Sequence, residues 1–118
     1  MIPFQVMLVV NPWHWLDQEG RLPTHDVRLR RRSLRLVQFI EYGGPLASGE
    51  ARETLVECMQ RPRGRSCLGL MWVMKTQEDR IHAFCPVCDF DEAMIHSWRE
   101  TEWAEGPRAP VSVREPVH

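Results

Sequence analysis

Four cysteines, all between residues 58 and 88, place the strongest constraint on how this chain can fold. Cys58 and Cys67 form the first pair, Cys85 and Cys88 form the second, and seventeen residues separate Cys67 from Cys85. Those seventeen residues consist of two apolar runs around a polar break at residues 76–79, which is the pattern of a β-hairpin. A hairpin of this length would bring the two pairs together.

The two pairs have the chemistry of a structural metal site. Zn²⁺ in such sites takes four ligands, and thiolates suit this borderline-soft ion. The second pair has the usual Cys-x₂-Cys spacing, whereas eight residues separate Cys58 from Cys67 instead of roughly two to four. We interpret the longer loop as a zinc knuckle with an arginine-bearing insertion. The sequence therefore predicts a structural, non-catalytic Zn²⁺ site, without separating zinc from iron, whose ligands are Cys58, Cys67, Cys85 and Cys88.

Three other interpretations of the cysteines stay open. In the first, His82 or His96 replaces Cys58 as a ligand, and in the second all four thiols stay reduced without a metal. In the third, the second pair forms a redox site, because Cys-Pro-x-Cys also resembles the active site of thioredoxin-like proteins. Only 30 residues follow Cys88, however, which is too few for the rest of that fold, and the acidic side chains within residues 89–92 oppose a thiolate.

The remaining elements follow from apolar periodicity and from turn residues. A strand is predicted at Phe4–Val10. An amphipathic helix is predicted at about Val27–Tyr42, capped by Thr24 or Asp26 and ended by the Gly43-Gly44-Pro45 turn. Further strands are predicted at Thr54–Cys58, Leu68–Lys75, Arg80–Phe84 and Ala93–Trp98, of which the last would also suit one turn of helix.

These elements indicate an α+β fold with a small antiparallel sheet of about four or five strands, one main amphipathic helix and a zinc-ribbon-like site of four cysteines. Residues 1–104 form a single zinc-binding domain in this interpretation, and its zinc-ribbon-like part lies at about residues 54–98. Residues 105–118 are expected to form a flexible proline-rich tail.

The charge of the chain is unevenly distributed, although the net charge is only −1. Residues 1–75 carry +4 and residues 76–118 carry −5, and almost all basic side chains are arginine. Arginines on the predicted helix and on the loop between the first two cysteines form a candidate nucleic-acid footprint. Its members are Arg30, Arg31, Arg32, Arg35, Arg61, Arg63 and Arg65. Alternatively, the helix arginines form a solvated face whose stems cover apolar surface, and the loop arginines offset the charge of the metal site.

Tryptophans supply a second kind of candidate interface, because this residue is enriched among those that dominate protein–protein binding. Trp13, Trp15 and Trp103 are candidate partner-binding residues, and Trp98 is a further aromatic anchor. The alternative for Trp13 and Trp15 is that both pack on the core.

Several short motifs can be compared with known families: Asn11-Pro12-Trp13-His14-Trp15, Glu41-Tyr42-Gly43-Gly44-Pro45-Leu46, the Cys67-x-Gly69 step, Cys85-Pro86-Val87-Cys88, and Ile95 to Trp98 followed by Thr101-Glu102-Trp103. In these the chain resembles zinc-ribbon proteins in general and a group of short bacterial zinc-binding proteins. The resemblance covers residues 11 to about 106 and implies a small zinc-bound domain, with no established activity. Many such proteins have glycine after the second cysteine pair, where this chain has Asp89.

The expected function is that of a non-enzymatic zinc-binding interaction module, which acts as a protein-binding adaptor or associates with itself. The alternative is a nucleic-acid-binding zinc-ribbon protein that uses the arginine helix and loop. No catalytic residues and no small-molecule substrate are evident. No apolar run approaches the roughly 18–20 residues of a membrane span, and no signal peptide is recognisable, so a cytoplasmic location is expected.

Overall fold

The computed structural model describes residues 7–106 of the chain. One helix, α1 (Val27–Gly43), follows the first of five strands, and short 3₁₀ turns lie at Pro12–His14 and Pro62–Gly64. The strands are β1 (Leu8–Val10), β2 (Ala51–Glu57), β3 (Leu70–Lys75), β4 (Ile81–Cys85) and β5 (Phe90–Ile95). The predicted α+β class is confirmed for this part of the chain.

The strands form one sheet in the order β1-β5-β4-β3-β2. β2 to β5 are antiparallel neighbours, but β1 runs parallel to β5. The prediction of an antiparallel sheet is therefore wrong at this edge, and the sheet is mixed. Tight turns force consecutive strands to run antiparallel, whereas β1 joins the rest of the sheet through α1, so no turn fixes its direction.

The element boundaries differ from the predicted ones mainly at the strands. The helix extends one residue beyond the predicted Tyr42, and the hairpin of β3 and β4 is confirmed. The strand predicted at Ala93–Trp98 begins earlier, at Phe90, and ends at Ile95. The predicted strand residues 4–6 and the tail from residue 107 onward lie outside the described residues.

The helix begins and ends where local chemistry dictates. The side chain of Asp26, not of Thr24, caps it by accepting hydrogen bonds from the N–H groups of Arg28 (3.0 Å) and Leu29 (3.1 Å). Near the other end, Gly43 lies so close to Ile81 that a Cβ at this position would come within 2.7 Å of its side chain. A glycine here therefore lets the helix approach the sheet closely.

Side chains alternate along the strands and so divide the sheet into two faces, of which one is buried and the other is open. The helix covers the first face, whose side chains belong to the core: Val10, Val56, Met71, Val73, Ile81, Ala83, Ala93 and Ile95. The side chains between them point to the other face and remain partly or largely exposed. This second face, called the open face below, carries the apolar side chains Val9, Leu55, Leu70, Trp72, Met74, Phe84 and Met94.

A buried lysine joins the helix end to the sheet. The Nζ atom of Lys75 donates hydrogen bonds to the carbonyls of Gly44 (2.9 Å) and Leu46 (3.0 Å) and lies 4.2 Å from the ring centre of Trp98. Burial lowers the pKa of Lys75 from its ordinary value, and this amine satisfies carbonyls beyond the end of α1. Trp98 is only 1% exposed, so the expectation that it anchors a partner is wrong.

Among residues 7–106, no helix combines the length and the apolar character needed to span a bilayer.

Candidate metal centre

The four cysteines meet at one end of the sheet, in two of its hairpin connections. Cys58 follows β2 and Cys67 precedes β3, so both belong to the β2–β3 connection. Cys85 is the last residue of β4, and Cys88 lies in the tight turn into β5. The predicted hairpin of β3 and β4 thus separates the pairs, while the other two connections supply the sulfur atoms.

The geometry of the sulfur atoms fits a tetrahedral metal site. All four Sγ atoms lie within 4.8 Å of one another, and the separations Cys58–Cys88 and Cys67–Cys85 are both 3.7 Å. Ligands at the Zn–S distance of about 2.3 Å would form a tetrahedron with edges of about 3.8 Å. No disulfide links the four cysteines. The four residues are therefore close enough to bind a metal ion.

The long loop between the first two cysteines is closed at its base by a backbone hydrogen bond. The N–H of Cys67 donates to the carbonyl of Gln60 at 3.0 Å, so the extra residues form a side loop between these two positions. Arg61 organises that loop by donating to the hydroxyl of Ser66 (2.9 Å) and to the carbonyl of Gly64 (2.8 Å). The insertion therefore leaves the cysteine geometry intact, as the interpretation of a knuckle with an added loop requires.

The two halves of the site have matching backbone turns. Leu68 follows the first pair with φ 63°, and Asp89 follows the second with φ 60°. Asp89 thus adopts the left-handed conformation for which many proteins of the resembling group have glycine. Gly69 is needed for another reason, because a Cβ there would lie 2.9 Å from the Cβ of Val87 and 3.1 Å from the Cys85 sulfur.

The thiols of Cys58, Cys85 and Cys88 differ in acidity. Burial raises the pKa of Cys58 despite the backbone N–H of Gln60, and burial with the neighbouring sulfurs raises the pKa of Cys88 to about 12. Burial alone would raise the pKa of Cys85, but the N–H groups of Cys88 and Val87 and two neighbouring thiols lower it. Four adjacent thiolates therefore need a bound cation, and metal binding must release protons.

The histidines that were open alternatives as ligands lie elsewhere. Among residues 7–106, the cluster able to hold a metal consists of the four cysteines alone. His82 points to the open face, where its Nε2 lies 2.9 Å from a carboxylate oxygen of Asp91. The Nδ1 of His96 lies 2.9 Å from the hydroxyl of Ser97.

The predicted arginine footprint divides into engaged and exposed members. Arg35 forms a two-bond ion pair with Glu92 (2.7 and 2.8 Å) and lies over Phe39, and Arg61 is bonded within its own loop. The others are exposed, and their side chains make no ion pair or hydrogen bond within residues 7–106: Arg30, Arg31, Arg32, Arg63 and Arg65. Two of the seven arginines are thus engaged within the chain, and the side chains of the other five extend into solvent.

The candidate partner-binding tryptophans are mostly packed. Trp15 and Trp103 are partly buried against the core, whereas Trp13 is 39% exposed and donates from Nε1 to the carbonyl of Ser97 at 3.1 Å. The sequence reasoning missed Trp72, which lies on the open face opposite Phe84. The signal was present, because β3 and β4 are apolar at both odd and even positions.

Searches against known protein families, curated proteins and solved structures found no match to this chain.

Proposed function

We propose that this protein is a non-enzymatic adaptor that binds a protein partner through the open face of its sheet, and that a structural Zn²⁺ at the four cysteines holds the sheet end in place. Four thiolates complete the coordination of zinc and leave no position for a reacting water. The donor set and the tetrahedral spacing of the sulfur atoms support zinc, as does the resemblance to zinc-ribbon proteins. The metal then serves folding and not catalysis.

The open face is the observation that carries the proposal. Trp72 and Phe84 are direct cross-strand neighbours on the central strands, and Met74 and Met94 flank His82. Aromatic residues and methionine are the side chains that protein interfaces favour over the remaining surface. Two further apolar side chains extend this face to the edge strands, Leu55 on β2 and Val9 on β1. Leu55 is 79% exposed and Val9 is 61% exposed.

Charge on the open face indicates what kind of partner fits. The strands place three carboxylates there, Glu53 beside Trp72, Glu57 beside Leu70, and Asp91 beside Phe84. The basic side chains within the strands, Arg52 and Lys75, belong to the helix side, where Arg52 lies over the ring of Tyr42. A partner with apolar side chains flanked by lysine or arginine complements this pattern, whereas a phosphate backbone would be repelled.

Nucleic-acid binding is the second candidate, and the exposed helix arginines favour it. Arg30, Arg31 and Arg32 extend into solvent on the side of the molecule opposite the open face. The two candidates therefore predict binding through opposite sides, which makes them separable by experiment.

Site-directed photocrosslinking in cells of the source organism tests the proposal. A benzophenone amino acid replaces Leu55 or Val9 on the open face, or Val27, which is 65% exposed on the helix side, as a matched control. We expect one protein to be crosslinked from the first two positions and not from the third. In titrations with that purified protein, Leu55→Glu and Glu53→Lys should each weaken binding at least tenfold, and Val27→Glu should leave it unchanged.

Two results would contradict the adaptor proposal. Equal crosslinking from all three positions, or an affinity that ignores Leu55→Glu and Glu53→Lys, would remove the open face as the docking surface. Binding to oligonucleotides that weakens steeply with salt and is lost in Arg31→Glu would instead support the nucleic-acid candidate.

A further inference from the structure

A groove lies between the helix and the β1–β5 edge of the sheet, on the side away from the open face. Its volume is about 560 Å³, within the roughly 300–1,000 Å³ typical of small-ligand sites. Apolar side chains from five parts of the chain form most of its lining, among them Val10, Trp15, Phe39, Met59 and Phe90. Surface of this kind favours an apolar ligand body.

Arginines give the groove its polar end. Arg35 lines it and is held by Glu92 through its Nε and one terminal nitrogen, which leaves further N–H groups of this guanidinium outside that pair. Arg32 also lines the groove and is exposed, and its side chain makes no ion pair or hydrogen bond with any residue in 7–106. Arg32 therefore presents an uncompensated positive charge beside apolar surface.

A second hollow continues past the same arginines. Its volume is about 310 Å³, and it shares Arg32, Arg35 and Met59 with the groove while extending to Arg31 and Leu34. Across both hollows the charged lining consists of three arginines and one glutamate, and that glutamate is already paired. The lining thus selects for negative charge, and the size of each hollow suits a small molecule and not a protein surface.

We propose that this groove binds a small organic acid with an apolar acyl or aryl body. The body occupies the apolar part beside Phe39 and Phe90, and its carboxylate pairs with the guanidinium of Arg32 at the rim. This site is independent of the docking surface, because none of its lining residues belongs to the open face.

Binding of matched amphiphiles to the metal-loaded protein tests the proposal. Calorimetric titration compares decanoate with decanol and decyltrimethylammonium, which share the chain and differ in charge, and 2-naphthoate separates an aryl from an acyl preference. We expect the carboxylates to bind at least tenfold more tightly than decanol and the cation to bind worst. Methyl chemical shifts should change at Leu8 and Val10, which line the groove, and not at Leu55.

Two pairs of variants make the assignment specific. Arg32→Glu should weaken carboxylate binding at least tenfold, while Arg30→Glu, a neighbouring exposed arginine outside the groove, should leave it unchanged. Leu8→Trp should fill the groove and abolish binding, while Val9→Trp, its neighbour on the other face, should not. Equal binding of all three decyl probes, no effect of Arg32→Glu, shifts confined to the open face, or no binding at millimolar concentration would each overturn the proposal.

Discussion

Two residues that follow the cysteine pairs carry backbone strain at the candidate metal centre. Leu68 and Asp89 both lie in the left-handed region, which costs an L-residue about 1–2 kcal/mol. Aspartate visits this region more readily because its short side chain bonds to nearby backbone groups, but leucine has no such relief. Leu68 is also 89% exposed, so burial offsets little of the cost.

Replacing Leu68 by glycine should therefore stabilise the protein. We expect Leu68→Gly to raise the free energy of unfolding of the metal-loaded protein by about 1 kcal/mol, measured by urea denaturation. Leu55→Gly is the control, because Leu55 is also exposed but lies in β2 without a positive φ. This variant should lower the free energy of unfolding by about 1 kcal/mol. A lower stability of Leu68→Gly would show that the leucine side chain contributes more than its backbone strain removes.

Individual residues were predictable where their chemistry is local. The four candidate ligand positions follow from cysteine spacing and thiolate chemistry, and the structure brings these cysteines together. The left-handed turn at Asp89 was not evident, because the sequence has aspartate where glycine is the usual signal. The burial of Trp98 depends on Lys75 and on the carbonyl of Asp79, which accepts its Nε1–H at 2.8 Å, and no local pattern reveals such distant partners.

Among the elements, the helix was the most predictable because both of its ends are set by neighbours in sequence. Asp26 and the Gly43-Gly44-Pro45 turn are local signals, and the observed helix matches them within one residue. The direction of β1 was not predictable, since its partner β5 lies far along the chain, with Leu8 opposite Ala93. The second face of the sheet was also missed, because alternation shows that a strand has two faces but not which face the helix covers.

The N-terminal cap of α1 provides a test at this scale. Its first turns contain arginines and no acidic residue, so Asp26 alone faces the positive end of the helix dipole. We expect Asp26→Ala to lower the free energy of unfolding by about 1 kcal/mol in urea denaturation. Asp26→Asn should lose less because it keeps the acceptor, and Thr24→Ala should have no effect. An equal loss in Thr24→Ala would mean that the cap extends over both residues.

For the molecule as a whole, the cysteine cluster ties together the ends of four consecutive strands. β2 and β3 are joined through the first pair, and β4 and β5 through the second, so one bound ion would fix all four. A chain of 118 residues buries only a modest core, so a metal link of this kind would add to its stability.

Metal content tests this arrangement directly. We expect native mass spectrometry of untagged protein to show one Zn²⁺ per chain, and a chelator to lower the thermal midpoint markedly. Cys58→Ser and Cys85→Ser, one from each pair, should both lose the metal and the folded state. Ser66→Ala, in the side loop, is the control and should keep both. Zinc retained in Cys58→Ser would exclude Cys58 as a ligand. Protein isolated without metal would support the alternative in which all four thiols stay reduced and bind no metal.

Lys75 is the only lysine of the chain, and its amine lies under the end of the helix. Lys75 is 3% exposed and is covered by Trp98 and by the segment that follows the helix, so a reagent that acylates lysine reacts with it only when this covering opens. The rate of lysine modification then equals the rate at which this closure opens, as long as the reagent reacts faster than the helix end returns. Acylation of Lys75, followed on the peptide that contains it, therefore measures this opening without an added label.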